Sequence, residues 1–130
     1  MRLVNYGQGE IADRLTILAL KILYGAEASK PVDHFERERN ALLPQLNIKG
    51  SLQERLLELA AVNGALWHAE DALRTERDAA NGGTSDDHPM AFTKAGQIAF
   101  RIQALNDRRS ELITLINVNT GNHQGEEKLT

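Results

Sequence analysis

The sequence predicts an all-α protein, an antiparallel bundle of about four helices in which two long helices form a hairpin. Leu, Ala, Ile, Glu and Arg are plentiful and aromatic residues make up only 5%, a composition that favours helices over strands. Apolar residues also recur at three- and four-residue steps over two long stretches separated by a Gly-rich segment. That spacing is typical of helices that bury one face.

Length and composition narrow the class of protein. A chain of 130 residues fits one domain, placed at residues 1–118 and followed by a polar tail at 119–130. The net charge of −3 argues against a nucleic-acid partner, because phosphate binding needs a basic face. The absence of cysteine excludes disulfides and cysteine-based zinc sites.

No segment suits a membrane or an export signal. The longest apolar run, residues 15–24, is interrupted by Lys21 and is too short to cross a bilayer. The first residues lack the apolar core of a signal peptide. We therefore expect a cytoplasmic protein with no membrane partner.

The first helix is predicted over residues 10–24, after an extended segment at residues 1–6. It should end at Gly25, since glycine is common just past a helix end. Apolar residues cover more than half of its circumference, which predicts deep burial in the bundle. These residues are Ile11, Ala12, Leu15, Leu18, Ala19, Ile22 and Leu23.

A second, shorter helix follows a loop at residues 26–30. Pro31 can open this helix in its first turn, and Pro44 should end or kink it. Residues 47–50 then form a turn. The apolar positions of the second helix are Phe35, Leu42, Leu43 and Leu46.

The two long helices have the clearest sequence signals. Ser51 and Glu54 form a capping box, from which the third helix should run to about residue 80. Residues 81–89 are rich in Gly, Asn, Asp and Ser and predict a loop. The fourth helix should begin between residues 89 and 94 and end near Asn117.

Each long helix has an apolar seam that polar residues interrupt. On the third helix Asn63 and Glu70 interrupt the seam, and on the fourth helix Arg109 does. A hairpin centred near Ser85 places Asn63 level with Asn106, with Arg109 within a turn. The seam of the third helix consists of Leu52, Leu56, Leu59, Asn63, Leu66, Glu70 and Leu73. The seam of the fourth helix consists of Ile98, Ile102, Leu105, Arg109, Leu112 and Ile116.

These polar residues allow two interpretations. Burying a charge costs several kcal/mol unless it is paired and hydrogen-bonded, so they either pair with one another or face a polar cavity. Further candidates share helix faces near this layer: Glu10, Asp13 and Lys21 on the first helix, and Trp67, Asp71 and Arg74 on the third. The structural alternatives are that Asn63 fixes helix register, that Glu70 and Arg109 form an ion pair, and that Trp67 is core.

Three segments resemble a family of small all-helical bacterial and phage proteins classed as domains of unknown function. The segments are residues 10–21, with Glu10, Asp13 and Lys21; residues 63–74, with Asn63, Leu66-Trp67, Glu70-Asp71 and Arg74; and residues 105–117, from Leu105-Asn106-Asp107 to Asn117. The resemblance implies a helical bundle with a shared polar site. It implies no activity.

Three functions fit these observations. The leading hypothesis is a non-catalytic protein that binds, or sequesters, an anionic small molecule such as a nucleotide or a nucleotide-derived signal. It needs no cofactor. Lys21, Arg74 and Arg109 would bind the anion. Asn63 and Asn106 would donate directional hydrogen bonds, and Trp67 would offer a stacking face.

The first alternative is an enzyme resembling the Mg²⁺-dependent nucleotide pyrophosphohydrolases, with Glu10, Asp13 and Glu70 as metal ligands. The second is a structural module whose seam polar residues specify a homo-oligomer. A homo-oligomer is also our expectation under the leading hypothesis; the broad apolar surface of the first helix fits burial either within one chain or against a second subunit.

Overall fold

The structure, a computed structural model, describes residues 7–82 and 88–120, with side chains at 7–79 and 93–120. It contains four α-helices and no strand within those ranges: α1 (Gln8–Glu27), α2 (Asp33–Leu42), α3 (Leu52–Gly82) and α4 (His88–Val118), with a 3₁₀ turn at Leu43–Gln45. Helices α3 and α4 form the most extensive contact, α1 packs against both, and α2 packs against α1. The predicted all-α bundle with a long helical hairpin is confirmed.

The core lies where α1, α3 and α4 meet. Three residues of the predicted seams are fully buried there: Leu59, Leu112 and Ile116. Ala12 of α1 belongs to the same buried cluster. Glu70 is exposed, so its assignment to the α3 seam was wrong. Val62 and Ala69 are buried instead, because three helices meet at this face of α3 and widen the buried stripe beyond a two-helix seam.

Burial of α1 is limited to its first half. Its buried residues all lie between Gly9 and Leu18, whereas Leu23 is 52% exposed and Ala19 is also exposed. The prediction of deep burial was therefore wrong for the second half. The physical reason is partial cover: α2 packs along this half, with Phe35 beside Lys21 and Val32 beside Gly25, and covers one side of it.

The end of α1 differs from the prediction. The helix continues through Gly25 to Glu27, and the chain reverses at Ser29, whose φ is +58°. The Ser29 and Lys30 N–H groups bond to the carbonyls of Ala26 and Gly25. Gly25 serves close packing instead, because a Cβ there would lie 2.7 Å from Cγ1 of Val32.

The other boundaries agree in part. Helix α2 begins at Asp33 rather than at Pro31, while the 3₁₀ turn containing Pro44 ends it as predicted. Leu43 is 53% exposed, so it is not an apolar contact position. Helix α3 begins directly after Ser51, as the capping box predicts.

The predicted loop at 81–89 is shorter in the structure. Helix α3 extends through Gly82 and α4 begins at His88. Pro89 fits the first turn of α4, where no N–H donor is needed. Residues 83–87, the extended segment at 1–6 and the tail from residue 121 lie outside the described residues.

The described helices also bear on the membrane expectation: none of them is long and apolar enough to cross a bilayer.

The N-terminus of α1 is held by a side chain from α4. The N–H of Gly9 donates to Oδ1 of Asn117 at 2.7 Å, and Nδ2 of Asn117 donates to both carboxylate oxygens of Glu10, at 3.0 and 3.1 Å. The N-cap residue, Gly7, has no side chain that could satisfy these N–H groups. Asn117 therefore acts as a capping residue from another helix.

We expect Asn117→Ala to lower the free energy of unfolding by about 1–2 kcal/mol, since a helix N–H loses its acceptor. Chemical denaturation followed by helical circular dichroism measures this change. Asn119→Ala is the matched control, because Asn119 bonds only to carbonyl oxygen of its own helix at an exposed position. Equal stabilities of the two variants would show that Asn117 does not cap α1.

Candidate functional site

An ion pair between α1 and α4 lies at the centre of the bundle. Nε of Arg109 donates to Oδ1 of Asp13 at 2.8 Å and Nη2 donates to Oδ2, a side-on bidentate arrangement. Asp13 is buried at 8% exposure, while the Arg109 side chain keeps 33% of its surface exposed. The ion partner of Arg109 is thus Asp13, and the alternative of a structural Glu70–Arg109 pair was wrong.

Asn63 joins the third helix to this pair. Its Nδ2 donates to Oδ1 of Asp13 at 2.9 Å and to the hydroxyl of Thr16 at 2.7 Å. The Thr16 hydroxyl in turn donates to the carbonyl of Asp13. Because a carboxylate only accepts hydrogen bonds, this network fixes the orientation of the Asn63 amide.

The arrangement leaves particular atoms for an outside molecule. Both N–H groups of Asn63 are used, while its Oδ1 receives no bond from a described residue. Likewise, Nη1 of Arg109 makes no hydrogen bond within the described part of the chain. No buried side-chain nitrogen or oxygen among the described residues lacks a partner, so the network itself is complete.

The electrostatics keep Arg109 charged. Its pKa is raised mainly by the hydrogen bonds to Asp13; burial opposes this effect, and the charges of Asp13 and Glu70 add to it. Glu70 therefore lies close enough to act on Arg109, although it makes no hydrogen bond to a described residue.

An open cleft of about 270 Å³ lies beside the network, and six of the ten predicted site residues line it. They are contributed by α1, α3 and α4: Lys21, Asn63, Trp67, Glu70, Asn106 and Arg109. Ile17, Leu20 and Leu66 form its apolar walls. We call this the polar cleft. Asp13 stands behind it and orients Arg109 and Asn63.

The remaining candidates lie elsewhere. Glu10 is bonded to Asn117 at the N-terminus of α1. Asp71 and Arg74 form a pair of their own at 3.0 Å, with side chains 69% and 65% exposed, and neither lines the polar cleft. The expected roles of Arg74 as an anion clamp and of Asp71 as a site residue therefore find no support in this geometry.

The structure does not assemble the metal ligands expected for an enzyme. Among the described residues no group of three or more His, Asp or Glu side chains could hold a metal ion. Both oxygens of Asp13 already accept bonds from Arg109, and Glu10 faces Asn117. The structure therefore does not bring Glu10, Asp13 and Glu70 together as the expected Mg²⁺ set.

Two further bidentate ion pairs lie between helices but away from the cleft. Arg14 binds Glu38 between α1 and α2, and Arg108 binds Glu58 between α4 and α3. In each case the guanidinium hydrogen bonds lower the pKa of the carboxyl group. These pairs are more than one-third exposed, so we assign them to helix alignment rather than to the site.

Three residues of this region were not predicted from the sequence: Thr16, Asn117 and Tyr24, whose ring stacks on that of Trp67. Thr16 follows Asp13 by one helical turn, and Tyr24 follows Lys21 by the same step, so helical spacing could have identified both. Asn117 is the last residue of the segment 105–117, but no role was predicted for it. A capping role across helices leaves no local sequence pattern, because the residues it joins are about 108 positions apart.

Fold and site together define an all-α bundle with a buried ionic network beside an open polar cleft. Comparison of the chain with models of known protein families, with curated protein sequences and with solved structures gives no match.

Proposed function

We propose that this chain is a non-catalytic protein that binds, and thereby sequesters, an anionic small molecule of the nucleotide class. The supporting observation is the polar cleft, in which Lys21 and the exposed part of Arg109 stand beside the amides of Asn63 and Asn106. No carboxylate of a described residue lies within ion-pair distance of Lys21. An ammonium group without a bonded counterion favours an anionic ligand.

The pairing of Arg109 defines how it would contribute. Asp13 neutralises much of its charge and holds the guanidinium in one orientation, so Nη1 acts as a directed hydrogen-bond donor. Oδ1 of Asn63 is an acceptor and suits a hydroxyl or amino group of the ligand. A molecule with one anionic group and several hydroxyl groups matches this set.

The test uses Trp67, the only tryptophan of the chain, which lines the cleft. Its emission is followed while nucleotides, cyclic nucleotides and sugar phosphates are added, with and without Mg²⁺. We expect a saturable change for one ligand class. At about 100 times the dissociation constant, that ligand should add about 2.7 kcal/mol to the free energy of unfolding, which raises the melting temperature by several degrees.

The diagnostic variant is Lys21→Gln. We expect it to weaken binding by about 2 kcal/mol, the contribution of a charge-assisted hydrogen bond. Lys49→Gln is the matched control, because Lys49 is exposed and lies outside the cleft. A flat ligand panel, unchanged affinity of Lys21→Gln, or conversion of the ligand into a product would each contradict the proposal.

Self-association remains a prediction of its own. Leu57 and Phe100 are 70% and 74% exposed, and we expect a second subunit to cover such side chains. Of the seam polar residues, Asn63 and Arg109 are bonded within one chain, to Asp13 of α1.

A further inference from the structure

A second concave site adjoins the polar cleft and shares Lys21 and Trp67 with it. It is an open depression of about 360 Å³ between α1, α2, α3 and the loop after α1. Its other lining residues are Tyr24, Gly25, Ala28, Lys30 and Phe35. We call it the aromatic pocket. A ligand that spans both sites would contact the lysine and the indole that they share.

The walls of the aromatic pocket are held in place by contacts among themselves. The rings of Tyr24 and Trp67 stack with centroids 5.3 Å apart and planes inclined by 21°. The Tyr24 hydroxyl lies 3.0 Å from Nε2 of His68, which fixes the outer edge of its ring. On the opposite side, Nζ of Lys21 lies 5.2 Å from the centre of the Phe35 ring. Aromatic surfaces held in this way suit a flat, unsaturated ring system.

Charge distinguishes the two compartments. Lys21 and Lys30 are the charged residues that line the aromatic pocket, and no carboxylate lines it. The polar cleft instead mixes donors and acceptors, with Glu70 among them. Lys21 stands at the boundary. A ligand that suits both compartments therefore has an anionic group at Lys21, hydroxyl groups on one side and a planar ring on the other.

We infer that the ligand is a nucleoside phosphate whose base occupies the aromatic pocket and whose ribose hydroxyls face Asn63 and Asn106. The inference rests on the proposed function for the phosphate at Lys21. It goes beyond that proposal by assigning a base site to Tyr24, Phe35 and Trp67. Aromatic rings can stack on any of the bases, so these three residues do not select one base. The ribose hydroxyl groups distinguish a nucleotide from inorganic phosphate.

The test measures the binding of three kinds of probe to the full chain by isothermal titration calorimetry. They are the four ribonucleoside 5′-monophosphates, the four uncharged ribonucleosides, and ribose 5-phosphate, which has no base. We expect at least one monophosphate to bind about tenfold more tightly than ribose 5-phosphate. Phe35→Leu should reduce the ratio of the two affinities to about one; the ratio is the readout because Phe35 also contacts Lys21, where both ligands place their phosphate. Phe100→Leu is the control, because Phe100 is an exposed phenylalanine of α4 outside both sites.

Tyr24→Leu is a second variant with the same expectation, in case Phe35→Leu loses its helical circular dichroism. Equal affinities for all monophosphates and ribose 5-phosphate would overturn the base site and leave the proposed function intact. Nucleoside binding that depends on Phe35 but not on Lys21 would support the base site and contradict the anion proposal. If none of the three probes binds, the base site is overturned.

Discussion

Replacing Arg109 with methionine should lower the free energy of unfolding by about 3 kcal/mol, the lower end of the cost of breaking a buried ion pair. The variant leaves the carboxylate of Asp13, 8% exposed, with Asn63 as its remaining side-chain partner from another helix. An unpaired carboxylate in the core loses its hydration without compensation. Urea unfolding at neutral pH measures the loss.

Two further variants separate this mechanism from a general effect of removing an arginine. Arg74→Met breaks an exposed pair with Asp71 and should cost less than about 0.5 kcal/mol. The double variant Asp13→Asn, Arg109→Met should be more stable than Arg109→Met alone, because a neutral amide replaces the unpaired charge. If Arg109→Met is as stable as Arg74→Met, the central ion pair makes no net contribution to the fold.

The role of Arg109 in the fold limits its use as a probe of ligand binding. The sequence alone predicts that Arg109→Met abolishes binding and leaves a folded bundle if Arg109 holds the ligand. In the structure Arg109 joins α4 to α1, so its loss affects both the cleft and the fold. Lys21, which forms no hydrogen bond with a described residue, reports on the ligand more directly.

Gly9→Ala should lower the free energy of unfolding by up to about 2 kcal/mol. A Cβ at Gly9 would lie 2.3 Å from the carbonyl oxygen of Ile113 and 2.9 Å from Oδ1 of Asn117. The first of these atoms is backbone and cannot rotate away, so α1 must move away from α4. Overpacking of this kind costs about 1–3 kcal/mol, which outweighs the roughly 1 kcal/mol gained from the higher helix propensity of alanine.

Gly64→Ala is the matched control and should change stability in the opposite direction. Gly64 also lies inside a helix, but no heavy atom of a described residue outside its own helix backbone approaches within 4 Å of the Cβ position. Alanine should therefore stabilise by about 0.5–1 kcal/mol. Denaturation of both variants against wild type measures the two signs. A stabilising Gly9→Ala would mean that α1 and α4 are not in close contact there.

Much of the candidate site followed from the sequence. Asn63 and Arg109 were identified because each interrupts an apolar seam, and the hairpin geometry predicted that they lie level with Asn106. All three line the polar cleft. Lys21 and Trp67 were found by helical spacing from these residues or from Asp13. Periodicity succeeds here because it reports which face of a helix a residue occupies.

The same method could not choose between residues at the edge of a face. Glu70 and Asp71 were both candidates on α3, yet Glu70 lines the cleft while Asp71 pairs with Arg74 on the surface. Adjacent helical residues differ by about 100°, so a small rotation of α3 decides which one borders the cleft. The rotation is set by packing against α1 and α4, which a pattern within one helix does not contain.

The sequence by itself determined the helices, their apolar faces and the polar residues within those faces, because these depend on contacts a few residues apart along one helix. Only the tertiary structure decided that Asp13 pairs with Arg109, that Asn117 caps α1 and that Tyr24 joins Trp67. The first two contacts join residues 96 and 108 positions apart. Such contacts depend on how three helices pack against one another, which is fixed by the close fit of side chains such as Leu59 and Leu112 and by the close approach of the α1 and α4 backbones at Gly9.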